Sequence, residues 1–289
     1  MVRFKVIKGS QVLMWISIAA LIGVILFILF SSPSLNSSKD NNHIQNSEAK
    51  AISAFASNSS LPASLHVEVI PDVQASADDS IEQAHILIYH THTHEAYQQD
   101  EKNPYHALEA WRTLDTEHSI VRIGTALADQ LRSMGHIVTH NTSDHEQDSL
   151  SDSYVRSLKT LENYDETFDL CIDLHRDAYA EGARLNLNYE NENYAQLMML
   201  VGRGDNYVAS DKPDYEGNLD FSQRLTGNLN RIVPGICRNV TVKPGRYNQH
   251  IGKRSVLIEV GHNMNTLQEA LNSVPVLAQG IDKIIQQKH

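Results

Sequence analysis

Residues 168–177 read FDLCIDLHRD. Phe168 to Leu174 has the length and apolar bulk of a buried strand, and it stops at three consecutive ionisable residues, His175, Arg176 and Asp177. Two other stretches repeat the arrangement. Ile86-Leu87-Ile88-Tyr89 runs into His90-Thr-His92-Thr-His94-Glu95, and the buried run from Ser255 to Val260 carries Glu259 and continues into Gly261-His262. Helical periodicity fills the gaps between strands. Ile120, Ile123, Leu127 and Leu131 fall on one face of a helix predicted over 119–134, with Gly135 where a C-cap belongs, and His136 to His140 alternates as a short strand. Further helices are expected over 152–163 and 219–233, separated by a strand over 195–201. The last helix opens at Thr266, where Thr266-Leu-Gln-Glu269 has capping-box spacing. This alternation predicts an α/β domain over 81–289, with a largely parallel sheet flanked by helices on both faces. In such sheets ligands gather beyond the carboxyl ends of the strands.

The three polar strand ends would therefore converge. His92 and Glu95, in H-x-x-E spacing, can place an imidazole and a carboxylate around one metal, and His175 is a natural third ligand from another strand. Two His and one carboxylate leave a zinc ion with an open position for water. Glu259 would then be free to accept that water's proton. His90 lies two residues before His92 and shares its face if the extended backbone persists, which makes it an alternative ligand; His94 and Glu117 are others. His145 and Glu146 read as part of a polar surface loop. Arg246-Tyr247-Asn248-Gln249 collects donors and an aromatic ring suited to a polar substrate.

Composition limits the alternatives. With 24 basic against 35 acidic residues, a net charge of −11, the chain has no general attraction for nucleic acid. Residues 12–30 carry no charge and are long enough for one membrane crossing. Arg3, Lys5 and Lys8 precede them with no acidic residue before Asp40, which keeps residues 1–11 cytoplasmic and sends the rest outside. Residues 31–80, rich in Ser, Asn, Ala and Asp, read as a flexible linker. Cys171 and Cys237 indicate no disulfide framework.

YHTHTHEAY (89–97), DLHRDA (173–178), RYNQ (246–249) and LIEVG (257–261) with Asn265-Thr266 together resemble the stage II sporulation protein P family of cell-wall hydrolases, over roughly 85–287. The resemblance implies an amidase-like domain and a zinc-dependent peptidoglycan hydrolase, related to N-acetylmuramoyl-L-alanine amidases and acting outside the membrane. Cleavage of peptide cross-links and wall-remodelling protein partners are implied as well. It also implies roles: His92 or His90 with Glu95 and His175 as the metal set, and Glu259 as the catalytic carboxylate. Arg176 and Asp177 would orient His175, while Arg176, Asn248 and Gln249 would contact substrate or support the site. His94, His250 and His262 depart from the family pattern, and sporulation itself does not follow. A non-catalytic wall-binding or divisome scaffold that kept the fold is the alternative. Zinc analysis combined with a hydrolysis assay separates the two.

Overall fold

A computed structural model describes residues 82–287 apart from 148 and 184. The expected cytoplasmic segment, anchor and linker lie outside the described residues. Among the described residues no helix is long and apolar enough to cross a membrane. The strands are β1 (His85–Tyr89), β2 (Ile137–His140), β3 (Leu170–Asp177), β4 (Leu187–Tyr189), β5 (Glu192–Tyr194), β6 (Leu197–Gly202), β7 (Thr241–Lys243) and β8 (Ser255–His262). Six of them form one sheet in the order β2-β1-β3-β8-β6-β7, and β4 and β5 make a separate antiparallel hairpin. Neighbours among β2, β1, β3 and β8 run parallel, whereas β6 is antiparallel to β8 and carries β7 with it. The sheet is thus mostly parallel, with its direction reversed in the last two strands. The hairpin and β7, three residues per strand, are too short to show a period in sequence.

β3 explains how core and candidate site share one strand. Side chains alternate across a sheet, so Leu170, Ile172 and Leu174 enter the large core with Ile86, Ile88, Val256, Ile258 and Val260. Complete burial of Ile172 and Leu174 contributes about 1.5–3 kcal/mol each. Cys171 turns to the other side, joining Leu87, Tyr89, Leu161 and Phe168. Asp173 and His175 follow Cys171 on that side, and the register sets His175 against Glu259 of β8.

The helices are α1 (Ile120–Ser133), α2 (Ser153–Glu162), α3 (Tyr215–Ile232) and α4 (Leu267–Gln286). They are shared unequally between the faces. α1, α3 and α4 contribute Leu127, Leu225 and Leu277 to the large core, while α2 covers the side of Cys171 through Leu161. Local chemistry fixes their ends. The Ser119 hydroxyl accepts from the amide of Val121, and Gly135 adopts φ 97° just beyond α1. Both halves of the Thr266–Glu269 capping box form, at 3.2 and 3.1 Å. α3 starts four residues before the expected Leu219, because Asp214 caps it by accepting from Gly217 N.

Candidate active site

After β1 the chain folds back over the ends of β3 and β8. Glu95 bridges to Arg112 and Ala96 to Ser119 through backbone pairing, and the buried Tyr97 hydroxyl donates to Val260 O at 2.8 Å. These ties bring His92 and Glu95 to His175. Glu95 Oε2 stands 3.4 Å from His175 Nδ1 and accepts from Arg176 N at 3.0 Å. The His92 ring meets His175 edge-on, with centroids 5.3 Å apart. Behind each imidazole is a buried carboxylate: Glu146 Oε1 is 2.8 Å from His92 Nδ1, and Asp173 Oδ1 is 2.9 Å from His175 Nε2. The second contact has ion-pair distance without hydrogen-bond alignment. Asp173 is fixed in turn by Thr91, which donates its amide at 2.8 Å and its hydroxyl at 2.7 Å. Glu259 is buried beside His175, and its Oε2 has no hydrogen-bond partner.

Charge is concentrated where water is scarce. Burial would lower the pKa of His175, but Asp173 and Glu95 outweigh it and raise the group well above its ordinary range. Burial works against ionised Glu95 too, and His175, Arg176 and His92 more than compensate, so its carboxyl is lowered. Glu259 behaves oppositely: burial, reinforced by Glu95 and Asp177 against His175 and Arg176, pushes it up to about 8. Glu146 is lowered to about 2, since His92, Arg112 and the His94 amide override its burial.

Ligand atoms around tetrahedral zinc, with bonds of about 2.0–2.1 Å, lie about 3.3–3.4 Å apart. The 3.4 Å between Glu95 Oε2 and His175 Nδ1 has that spacing and is long for a hydrogen bond. With Nδ1 of His92 on Glu146, the neutral ring keeps its lone pair on Nε2. Among the described residues no three His, Cys, Asp or Glu side chains stand close enough to hold a metal ion, so a zinc site on His92, Glu95 and His175 would require His92 to move toward the other two. The donor types and the unpartnered Glu259 oxygen fit a zinc ion.

A family model described as stage II sporulation protein P matches residues 30–282. The chain belongs to the stage II sporulation protein P family. The match confirms the resemblance and reaches back beyond residue 85, into the stretch that reads as a linker. Stage II sporulation protein P of Bacillus subtilis (strain 168) is 24% identical over 227 residues, which are 70% of this chain and 51% of that protein. The chain therefore spans about half the length of this curated relative. Among solved structures, the CwlD amidase from Clostridioides difficile in complex with the GerS lipoprotein is 16% identical, with a TM-score of 0.45, covering 70% of this chain and 98% of that one. The catalytic domain of the CD27L endolysin targeting Clostridia difficile is 15% identical, with a TM-score of 0.44, covering 72% and 99%.

In this member of the stage II sporulation protein P family not all of the expected site residues meet at the cluster. β1 ends at Tyr89, so the extended backbone that would align His90 with His92 does not persist. His90 instead binds Leu174 O through Nδ1 and His140 through Nε2, at 3.0 and 2.9 Å, packed on Gly124 of α1. Both ring nitrogens are engaged away from the cluster. The guanidinium of Arg176 donates through Nε and Nη2 to the carbonyls of Ala96 and Trp111 and so clamps the first loop. Asn248 donates to Tyr154 O and Ser157 Oγ, and Gln249 exchanges hydrogen bonds with Gly202 N and Leu200 O. These two buried amides support the site. Asp177 pairs with Arg238, leaving the orientation of His175 to Asp173 and Glu95. Glu117 is exposed beside Arg122, and His94 pairs with Asp144, so neither joins the cluster.

Sequence reasoning missed Asp173, Glu146 and Tyr154. A carboxylate inside the apolar run of β3 was a visible signal for the first. Tyr154 stands edge-on to both His92 and Tyr247, with centroids 5.7 Å apart in each case. Tyr247 and Asn248 take left-handed φ values of 51° and 52°, a costly conformation for two consecutive residues with side chains. The resulting turn lays the Tyr247 ring on Gly202 and Gly245, where an added Cβ would come within 2.9 and 2.8 Å of it.

Proposed function

We propose that this chain is a membrane-anchored, extracytoplasmic peptidoglycan hydrolase that cleaves the amide between N-acetylmuramic acid and L-alanine. The observation that carries the reading is the buried, unpartnered carboxylate oxygen of Glu259 beside the His175–Glu95 pair. His92, Glu95 and His175 would hold zinc, which when bound supplies a Lewis acid for the amide carbonyl and acidifies water. Glu259 accepts the proton of the attacking water and returns it to the leaving amine; an elevated pKa suits a group that must do both near neutrality. Asp173 and Thr91 hold His175 in place, and Tyr154 with Tyr247 forms an aromatic wall next to His92. Residues 12–30 would anchor the chain and residues 31–80 would let the domain reach the wall, where remodelling proteins would be its neighbours.

The full chain in detergent, incubated with purified peptidoglycan, should release free L-alanine amino termini. Chelation should stop the release and zinc should restore it. Products with intact muramoyl-alanine bonds and cut cross-links would move the reaction to an endopeptidase. A chain that binds zinc and releases neither product would be a wall-binding scaffold.

A further inference from the structure

We propose that Glu146 and Arg112 form a positioning device for His92, fixing its tautomer and holding it where Nε2 can bind a metal; this rests on the reading of His92 as a metal donor. The Glu146 side chain is 1% exposed, although it comes from the polar loop after β2. Burying a carboxylate there is costly unless every lone pair is used. Oε1 faces His92 Nδ1 and the Arg112 guanidinium, both at 2.8 Å, and Oε2 accepts from His94 N at 2.8 Å. The His94 ring is near the same oxygen, with Nδ1 3.3 Å from Oε2. The bond to His92 Nδ1 does something further, because a carboxylate can only accept, so Nδ1 must carry the proton. Arg112 couples this to the second donor of the same loop. Its backbone bridges to Glu95, and the next residue donates from Thr113 N to His94 O at 2.9 Å. One residue thus holds Glu95 by its main chain and the support of His92 by its side chain.

The test measures zinc affinity of the full chain in detergent by competition with a chromophoric chelator. Glu146→Gln keeps the shape but loses the charge that binds Arg112 and His92, and should weaken zinc binding by about 10–100-fold, the usual effect of removing a carboxylate behind a metal-bound histidine. His175→Ala should abolish binding. A wild-type chain that binds no zinc overturns the metal reading itself. Wild-type binding with equal affinity in Glu146→Gln overturns only the positioning role. An unmutated chain with 15N-labelled histidine and 113Cd bound decides the matter even if Glu146→Gln fails to fold. Metal coupling at Nε2 of His92, with Nδ1 protonated, supports the device; coupling at Nδ1, or at His175 without His92, overturns it.

Discussion

Glu259→Gln should make the metal-free protein more stable while removing its turnover. In the unfolded chain this carboxyl has its ordinary value near 4.5, and in the folded, metal-free protein it is pushed up to about 8. A raised carboxyl costs nothing below the unfolded value, where both states are protonated. Between the two values the unfolded state releases its proton and the folded state retains it, so stability falls as pH rises. From 4.5 to pH 7 is about 2.5 decades, and at about 1.4 kcal/mol per decade the cost approaches roughly 3 kcal/mol. A glutamine carries none of it. Denaturant unfolding of chelator-treated wild type and variant, from pH 4 to pH 8, should show a stability difference that starts near zero and grows to a few kcal/mol in favour of the variant. Peptidoglycan turnover by the zinc-loaded variant should fall by about 10²–10⁴-fold, the range for loss of a general base. A difference independent of pH, or a variant less stable than wild type at pH 7, would refute the placement of Glu259 in a dry pocket without a partner.

Three more perturbations test the surrounding framework. Gly124→Ala would set a Cβ 2.5 Å from His140 Nε2 and 2.6 Å from His90 Nε2; overpacking of about 1–3 kcal/mol outweighs a helix-propensity gain of up to about 1 kcal/mol, and the denaturation midpoint should drop. Thr266→Ala removes one half of the capping box of α4 and should cost about 1 kcal/mol of stability, with catalysis per folded molecule unchanged. Arg176→Ala leaves the carbonyls of Ala96 and Trp111 without their charged donor; stability should fall by about 2–4 kcal/mol, whereas a rise in KM with unchanged stability would return Arg176 to the substrate.

The strand pattern was legible because β3 carries two messages in alternation. Leu170, Ile172 and Leu174 form the apolar period that any buried strand shows, and Asp173 and His175 are the residues that break it. The same reasoning located Glu259, and the register then put it beside His175. The histidine-rich segment was harder to resolve. From His90 onward the backbone leaves the sheet, so no period assigns a direction to each imidazole; only tertiary contacts separate His90, bound to Leu174 O and His140, from His92 at the cluster. Glu146 had no local signal at all. It follows a histidine in a polar loop, and its burial arises from Arg112 and the His94 amide, 34 and 52 residues away in sequence. For Asn248 and Gln249 the two readings, substrate contact or support, could not be separated in sequence, because a run of donors looks the same whether it faces a substrate or an internal carbonyl.

The unequal sharing of helices explains why the charged cluster is tolerated. α1, α3 and α4 bury one face of the sheet in a continuous apolar core, where an ionisable group without partners would be costly. The opposite face is covered by α2, whose apolar contact is confined to the small group around Cys171, Leu161 and Phe168. Beyond Cys171 that side of β3 is roofed by the loop from His90 to Tyr97, which supplies Thr91 to Asp173 and Glu95 to His175. Among the described residues, Asp173 is met by Thr91, Glu95 by His175 and the amide of Arg176, and Glu146 by Arg112, His92 and the amide of His94. Glu259 differs in that its buried Oε2 has no hydrogen-bond partner among the described residues. A side chain left in that state on a strand whose other residues are packed and satisfied is a stability cost, and the proposed metal and water are the groups that would offset it.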